Sequence, residues 1–125
     1  MTQKKICQAC AGTDTLIFSC SGAADTGEIS DLAARVLAEN GYGRMFCLAG
    51  VGGRVTPILK QVEVAQKLLV IDGCALDCAR RTMDAAGFKE TSHIRVTDLG
   101  LAKGQSPVNE ERVSAVVQRG SDLLR

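Results

Sequence analysis

The sequence predicts a single three-layer α/β domain of the doubly wound, Rossmann-like or flavodoxin-like kind, with about four mainly parallel strands. Apolar runs of strand length are each followed by a segment with helical periodicity, and the pattern repeats four times. Strands and helices that alternate with short links form right-handed crossovers, which give a parallel sheet covered on both faces. A chain of 125 residues can bury the core of one such domain.

The first strand–helix unit begins at Thr15–Cys20 (TLIFSC), an apolar run that predicts strand 1. Asp25 stands three residues before Glu28, which is the spacing of a capping box with Asp as the cap. One apolar stripe at helical spacing then runs through Ile29, Leu32, Ala33, Val36 and Leu37. Asn40-Gly41 ends this helix.

The second unit begins at Arg44–Ala49 (RMFCLA), which predicts strand 2. The glycine-rich segment Gly50–Arg54 is interpreted as a tight turn, because it lacks the motifs of a phosphate loop and of a dinucleotide fold. Thr56-Pro57 has the composition of a helix start. The inner face of that helix is predicted to carry Ile58, Val62 and Ala65.

The third unit, Leu68–Arg81, is the stretch around which the chain is organised. Its four apolar residues Leu68–Ile71 predict a strand buried on both faces, and Asp72-Gly73 ends that strand in a turn. A helix is predicted from Leu76, with Leu76, Ala79, Met83 and Ala86 on its apolar face and Gly87 at its end.

The last unit contains His93–Thr97 as strand 4 and Asp98–Gln105 as a loop, with Ser106-Pro107 opening the final helix. Its apolar stripe runs through Val113, Val116 and Val117. Residues 15–125 are thus predicted to form the domain, preceded by a polar N-terminal segment, 1–14, that contains Cys7-Gln8-Ala9-Cys10.

The composition argues against several classes of function. A net charge of +1 and an aromatic content of 3% predict no binding to nucleic acid or to an anionic membrane. No apolar stretch is long enough to span a bilayer, and no hydrophobic segment follows the basic N-terminus, so we expect a soluble cytoplasmic protein. In that compartment, six cysteines indicate metal ligands, reactive thiols or core residues rather than disulfides.

Three of the cysteines recur at the period of one strand–helix unit. Cys20, Cys47 and Cys74 are separated by 27 residues in both intervals (47 − 20 and 74 − 47), each at or just past the end of a predicted strand. Parallel strands share one carboxyl edge, where open α/β sheets bind their ligands. Cys78, four residues beyond Cys74, adds a fourth thiol at this edge.

Four thiolates at one edge predict a tetrahedral zinc site. Its net charge would be near −2, and helix amino ends together with Arg54 and Lys103 would offset part of it. Asp72 is either a hydrogen-bonding partner of the site, or a general base, or a carboxylate that stabilises its turn. The alternative for the cysteines is that they are small buried hydrophobic residues.

Two further groups are less easily placed. Cys7 and Cys10 have the spacing of a zinc half-site. They would form a separate or accessory zinc site, or a site shared between two molecules. The alternative is that they are incidental thiols without a ligand. His93 begins predicted strand 4, so we expect it at the opposite edge, as a polar residue rather than a ligand.

Four motifs give the chain a resemblance to the DGC-domain family. They are CSG at Cys20–Gly22, CLAG at Cys47–Gly50, IDGC-x3-CA at Ile71–Ala79 and DLG-x2-K at Asp98–Lys103. The family is described as zinc-binding through four cysteines, and the resemblance places these on Cys20, Cys47, Cys74 and Cys78. It implies zinc as a cofactor but no activity, and it names no protein partner.

Two alternatives to zinc binding remain open. Cys20, followed by Ser21-Gly22 and a helix start, resembles the nucleophile of thiol phosphate carriers, although no arginine in the turn would hold a phosphoryl group. Thiol–disulfide chemistry is the other, through Cys7/Cys10 or Cys74/Cys78. The latter pair has three intervening residues rather than the two of thioredoxin-type pairs.

Overall fold

A computed structural model describes residues 14–125 and confirms the predicted α/β fold. Four parallel strands form one sheet in the order β2-β1-β3-β4. Cys7 and Cys10 lie outside the described residues. The strands are β1 (Thr15–Ser19), β2 (Arg44–Met45), β3 (Lys67–Asp72) and β4 (Ser92–Arg95), and the helices are α1 (Asp25–Glu39), α2 (Leu48–Gly52), α3 (Thr56–Glu63), α4 (Cys78–Ala85) and α5 (Glu110–Leu124).

Both faces of the sheet are buried, which explains the uninterrupted apolar runs of its two central strands. Successive side chains of a strand alternate between the faces. The core on one face contains, among others, Ile17, Leu69 and Ile71 of the sheet with Ile29, Ala33, Leu37 and Val116 of α1 and α5. The core on the other face contains Leu16, Phe18, Leu68 and Val70 with Val51, Val62, Ala79 and Met83 of α2, α3 and α4. Three layers result.

The order of the strands creates a switch point between β1 and β3. The chain leaves β1 for β2 on one side, and then crosses back to β3 on the other side of β1. Connections that diverge from two neighbouring strands leave a crevice at their carboxyl ends, where ligands bind in open α/β sheets. Cys20 follows β1 directly, and Cys74 lies two residues after β3. The topology therefore directs both cysteines to this crevice.

The second unit differs from its prediction. Strand β2 has two residues only, although the backbone N–H of Phe46 still donates to Ile17 O at 2.9 Å. The predicted glycine-rich turn is largely helix α2, which begins because the Sγ of Cys47 accepts a hydrogen bond from Gly50 N at 3.2 Å. A cysteine takes the place of the usual Ser, Thr, Asn or Asp at this helix start.

Two predicted helix starts and one predicted cap were also wrong. Helix α4 begins at Cys78, so Leu76 is not on its inner face and is 60% exposed. Helix α5 begins at Glu110 rather than at Ser106-Pro107, because the side chain of Asn109 accepts from Arg112 N. Asp25 is no capping-box residue, since Ala24 precedes α1 and makes no side-chain cap.

Strand β4 is shorter than predicted and ends at Arg95. A single 3-10 turn, Val96–Leu99, replaces the end of the predicted strand and the start of the predicted loop. The part of the chain that the structure describes contains no helix long and apolar enough to cross a membrane.

Backbone contact between two turns fixes the geometry of the crevice. A Cβ atom added to Gly73, just after β3, would lie 2.7 Å from Gly27 N in the first turn of α1. A Cβ on Gly27 would in turn lie 2.7 Å from Gly22 O. Gly73 has no positive φ, so a glycine is required here for the close approach and not for a left-handed backbone angle.

We therefore expect Gly27→Ala to destabilise the domain, because the new methyl group collides with backbone atoms that cannot move independently. The expected loss is about 1–3 kcal/mol in the free energy of unfolding. Urea denaturation monitored by circular dichroism measures it. The matched control is Gly52→Ala, also in a helix, where the added Cβ would meet Thr82 Cγ2 at an ordinary 3.5 Å. A Gly27→Ala variant as stable as this control would contradict the interpretation.

Candidate functional site

Three of the four predicted ligands surround one cavity in the crevice between β1 and β3. The cavity has a volume of about 330 Å³, and Cys20, Cys74 and Cys78 all line it. Cys47 lines a neighbouring cavity of about 490 Å³, to which Cys20 also contributes. Cys20 thus lies between the two cavities. All four cysteines are free thiols.

Cys20 is the most enclosed by hydrogen-bonding groups. Its Sγ accepts from Gly73 N at 3.4 Å and lies 3.3 Å from Ser30 Oγ. Ser30 donates its single hydroxyl hydrogen to Gly27 O at 2.7 Å, so in the Cys20–Ser30 pair the S–H is the donor. The S–H of Cys20 is therefore directed at Ser30 Oγ. A thiolate there would require Ser30 to turn its hydroxyl from Gly27 to the sulfur.

The other three sulfur atoms differ in their surroundings. Cys47 is exposed and caps α2, as described above. Cys74 is half-buried, with its Sγ 3.7 Å from Lys103 Nζ. Cys78 is exposed in the first turn of α4. Arg54, in contrast, donates to the carbonyls of Val51, Gly52 and Ala85 and lines neither cavity.

The thiols are close but are not assembled into a metal site. Within residues 14–125, the one set of three ligand atoms lying within 4.8 Å of one another belongs to Asp72, Asp77 and His93, and no cysteine is part of it. Tetrahedral zinc with Zn–S bonds of about 2.3 Å brings its sulfur ligands to about 3.8 Å from one another. Zinc binding therefore requires these side chains to close around the ion.

Asp72 is buried and fully engaged with its neighbours. Its Oδ1 accepts from Ala79 N at 2.7 Å, and its Oδ2 accepts from Arg80 N at 3.1 Å, so the last residue of β3 caps α4. The same Oδ2 lies 2.9 Å from His93 Nε2. The carboxylate links β3, β4 and α4, which are the contacts expected of a residue that stabilises its turn.

The expected position of His93 was wrong. Strand β4 is displaced along the sheet, with Ser92 opposite Leu69 and His93 opposite Val70. His93 therefore lies near the carboxyl end of β3, in contact with Asp72. The displacement depends on the path of the connection after α4. No local signal in the sequence indicated it.

Asp77 completes this cluster and is paired with Arg95. The guanidinium group donates to both carboxylate oxygens, at 2.9 and 2.6 Å, and this interaction lowers the pKa of Asp77. Asp77 also has a positive φ of 53°, directly before α4. Because Arg95 neutralises Asp77 and helix N–H groups occupy Asp72, the cluster is a structural network that orients the segment containing Cys78.

Asp25 positions the loop that carries Lys103. Its Oδ1 accepts from Gly104 N at 2.8 Å, and its Oδ2 accepts from Ser106 N at 2.9 Å. These backbone hydrogen bonds hold the pKa of Asp25 below its usual value. Lys103 is thereby held beside the cavity by a residue 78 positions away in the chain (103 − 25).

Comparison with known proteins shows the family to which this chain belongs. Residues 16–119, most of the chain, match the sequence pattern of the DGC domain. The chain belongs to the DGC-domain family. The resemblance of its four motifs is thus confirmed. Each residue of the DGC tripeptide has its own contact: Asp72 caps α4, Gly73 contacts α1, and Cys74 lines the cavity.

One characterised relative of this DGC domain is the anaerobic and virulence modulator AnvM of Pseudomonas aeruginosa. It is 28% identical over 88 residues, which cover 70% of this chain and 67% of the relative. No solved structure matches the chain significantly.

The hydrogen bonds of Asp25 predict how stability changes with pH. The lowered pKa means that the ionised carboxylate stabilises the fold above about pH 4, its unfolded value, and that this contribution disappears as pH falls through the lower folded value. We expect Asp25→Asn to lower Tm at neutral pH, and the difference from wild type to shrink in acid. Thermal melts across this range test the prediction.

The matched control for Asp25→Asn is Asp122→Asn, in an exposed pair with Arg125. Exposed pairs contribute little, so its Tm should follow that of the wild type at every pH. A difference between Asp25→Asn and wild type that is constant with pH would exclude the carboxylate charge as the cause.

Proposed function

We propose that this DGC domain binds zinc through Cys20, Cys47, Cys74 and Cys78. The observation that carries the proposal is the convergence of Cys20, Cys74 and Cys78, from two separate segments, on one cavity at the switch point of the sheet. Cys47 approaches from a third segment and shares the second cavity with Cys20. Thiolate sulfur is a preferred ligand of zinc.

Hydrogen-bond donors lie beside three of the four sulfur atoms. Backbone N–H groups already point at two of them, from Gly73 to Cys20 and from Gly50 to Cys47. Lys103 supplies a positive charge 3.7 Å from Cys74. Hydrogen bonds and a cation offset part of the negative charge that several thiolates bring to one site. Lys103 would therefore support the site without binding the metal, and Asp72 would position Cys78 by capping α4.

The number of bound thiolates determines what the ion can supply. Four thiolates make a closed centre, whereas three would leave a position at which zinc can act as a Lewis acid.

The name of the Pseudomonas relative describes a modulator. We extend a regulatory role to this chain, in which a zinc–thiolate centre responds to metal supply or to oxidation of its thiols.

Metal analysis of protein purified under reducing conditions tests the zinc site. We expect about one zinc per chain in wild type, with each of the four Cys→Ser variants at Cys20, Cys47, Cys74 and Cys78 losing it or binding it at least roughly tenfold more weakly. Cobalt in place of zinc reports the number of sulfur ligands through its thiolate charge-transfer absorption.

The double variant Cys7→Ser/Cys10→Ser is the control for this experiment, since it removes two thiols that the proposal assigns at most to an accessory site. It should keep the zinc of the main site. Absence of metal from reduced wild-type protein, even after incubation with zinc, would overturn the proposal.

A nucleophilic role for Cys20 is the second candidate function. Its sulfur receives the N–H of Gly73 and lines both cavities, so a substrate can approach from either side. Backbone donors at a strand–helix junction are typical of activated cysteines. The S–H that Cys20 donates to Ser30 opposes this role, because it stabilises the less reactive thiol.

Alkylation separates the two functions. If Cys20 is an activated nucleophile, iodoacetamide should modify it in metal-free protein at about pH 6 at least roughly tenfold faster than the exposed Cys47, as peptide mass spectrometry would show. Cys20→Ser identifies the peptide. Slow modification of both residues would exclude the nucleophile and leave zinc binding unaffected.

A further inference from the structure

Thr26 has a buried hydroxyl group that nothing in the described chain satisfies. The residue is 1% exposed in the first turn of α1, it lines the cavity with Cys20 and Cys74, and its Oγ1 has no hydrogen-bond partner within residues 14–125. A buried hydroxyl without a partner costs free energy. Because Thr26 lines the cavity, a ligand bound there could satisfy this hydroxyl once the side chain turns its Oγ1 toward the cavity.

Lys103 gives the same cavity an uncompensated positive charge. Its Nζ lies near Cys74 Sγ, and within residues 14–125 it forms no ion pair. The two carboxylates that line the cavity are engaged elsewhere: Asp72 with α4 and His93, and Asp77 with Arg95. Neither is therefore available to neutralise the ammonium group.

The amino end of α1 adds to this positive potential. Ala24, Thr26 and Gly27, at the start of a 15-residue helix, form one wall of the cavity. The amino end of a helix favours a nearby anion. Asp25 opposes this effect, but its carboxylate accepts three backbone N–H groups, from Thr26, Gly104 and Ser106, and does not line the cavity.

Apolar side chains form part of the cavity wall, and they favour a ligand with a hydrocarbon part. Ala23, Ala24 and Leu76 line the cavity, and the side chain of Leu76 is 60% exposed although large and apolar. The volume of about 330 Å³ is at the small end of the range for small-molecule sites. A compact ligand with one acidic group and a short hydrocarbon part matches both the charge and the walls.

We propose that this cavity binds a small organic carboxylate, with its head group on Lys103 Nζ and Thr26 Oγ1 and its hydrocarbon part on Ala23, Ala24 and Leu76. The inference goes beyond zinc binding, since none of these contacts involves sulfur. The carboxylate would accept from the ammonium group of Lys103 and, after a turn of the Thr26 side chain, from the hydroxyl of Thr26. Among the described residues, neither group has another partner that would have to be displaced, apart from the long contact of Lys103 to Cys74.

The test is an NMR titration of the full-length, reduced and chelated protein with hexanoate. Metal is removed so that binding of a carboxylate to zinc cannot contribute. We expect shifts at amides around Thr26 and Lys103, and affinity in the order hexanoate, then hexanol, then hexylammonium. Lys103→Met should weaken hexanoate binding at least roughly tenfold. Lys60→Met, which removes an exposed lysine from α3, should have no effect.

Thr26→Val distinguishes a binding role from a structural one. Replacing an unsatisfied buried hydroxyl by a methyl group should raise Tm by about 2–5 °C, while hexanoate binding weakens. A hydroxyl with a structural role would give the opposite change in Tm.

The proposal would be overturned by equal affinity for hexanoate and hexanol, by unchanged binding in Lys103→Met, or by the absence of shifts in this cavity. Because zinc content is measured separately, either proposal can fail while the other stands.

Discussion

The contact of Gly73 with the first turn of α1 is the constraint on which the rest of the site depends. The backbone after β3 touches the backbone at the amino end of α1, at a distance that no side chain permits. This contact brings the turn after β1 and the turn after β3 to the same crevice, and it directs the N–H of Gly73 at Cys20. The cavity, its three thiols and Lys103 are arranged around these two turns.

Most charged residues near the crevice serve the fold. Asp72 caps α4, Asp77 binds Arg95, and Asp25 holds the loop that contains Gly104 and Ser106. Each carboxylate is thus already engaged with donors of the fold, and the bond of Asp72 to Ala79 N is buried, where an unpaired group is costly. The groups left for a ligand are accordingly few: the thiols, the ammonium group of Lys103 and the hydroxyl of Thr26.

Elements with a periodic pattern over their whole length were predicted correctly. The apolar runs of β1 and β3 and the stripe of α1 predicted those elements, because two-sided burial and one-sided burial leave different patterns. The local structure around Cys47 and Asp25 was predicted incorrectly, because there a side chain makes an unexpected hydrogen bond: Cys47 caps a helix, and Asp25 caps a loop distant in sequence. The residue types alone do not show which backbone group such a side chain will bind.

The sequence by itself determined the α/β class and the membership of the DGC-domain family. It also placed Cys20 and Cys74 at one edge of the sheet, because alternating strands and helices give parallel strands whose carboxyl ends share that edge. The tertiary structure alone decided that His93 contacts Asp72, that Gly73 serves a close approach, and that the hydroxyl of Thr26 has no partner within residues 14–125. Strand register and the packing of one turn on another depend on contacts between distant segments, and local periodicity carries no information about them.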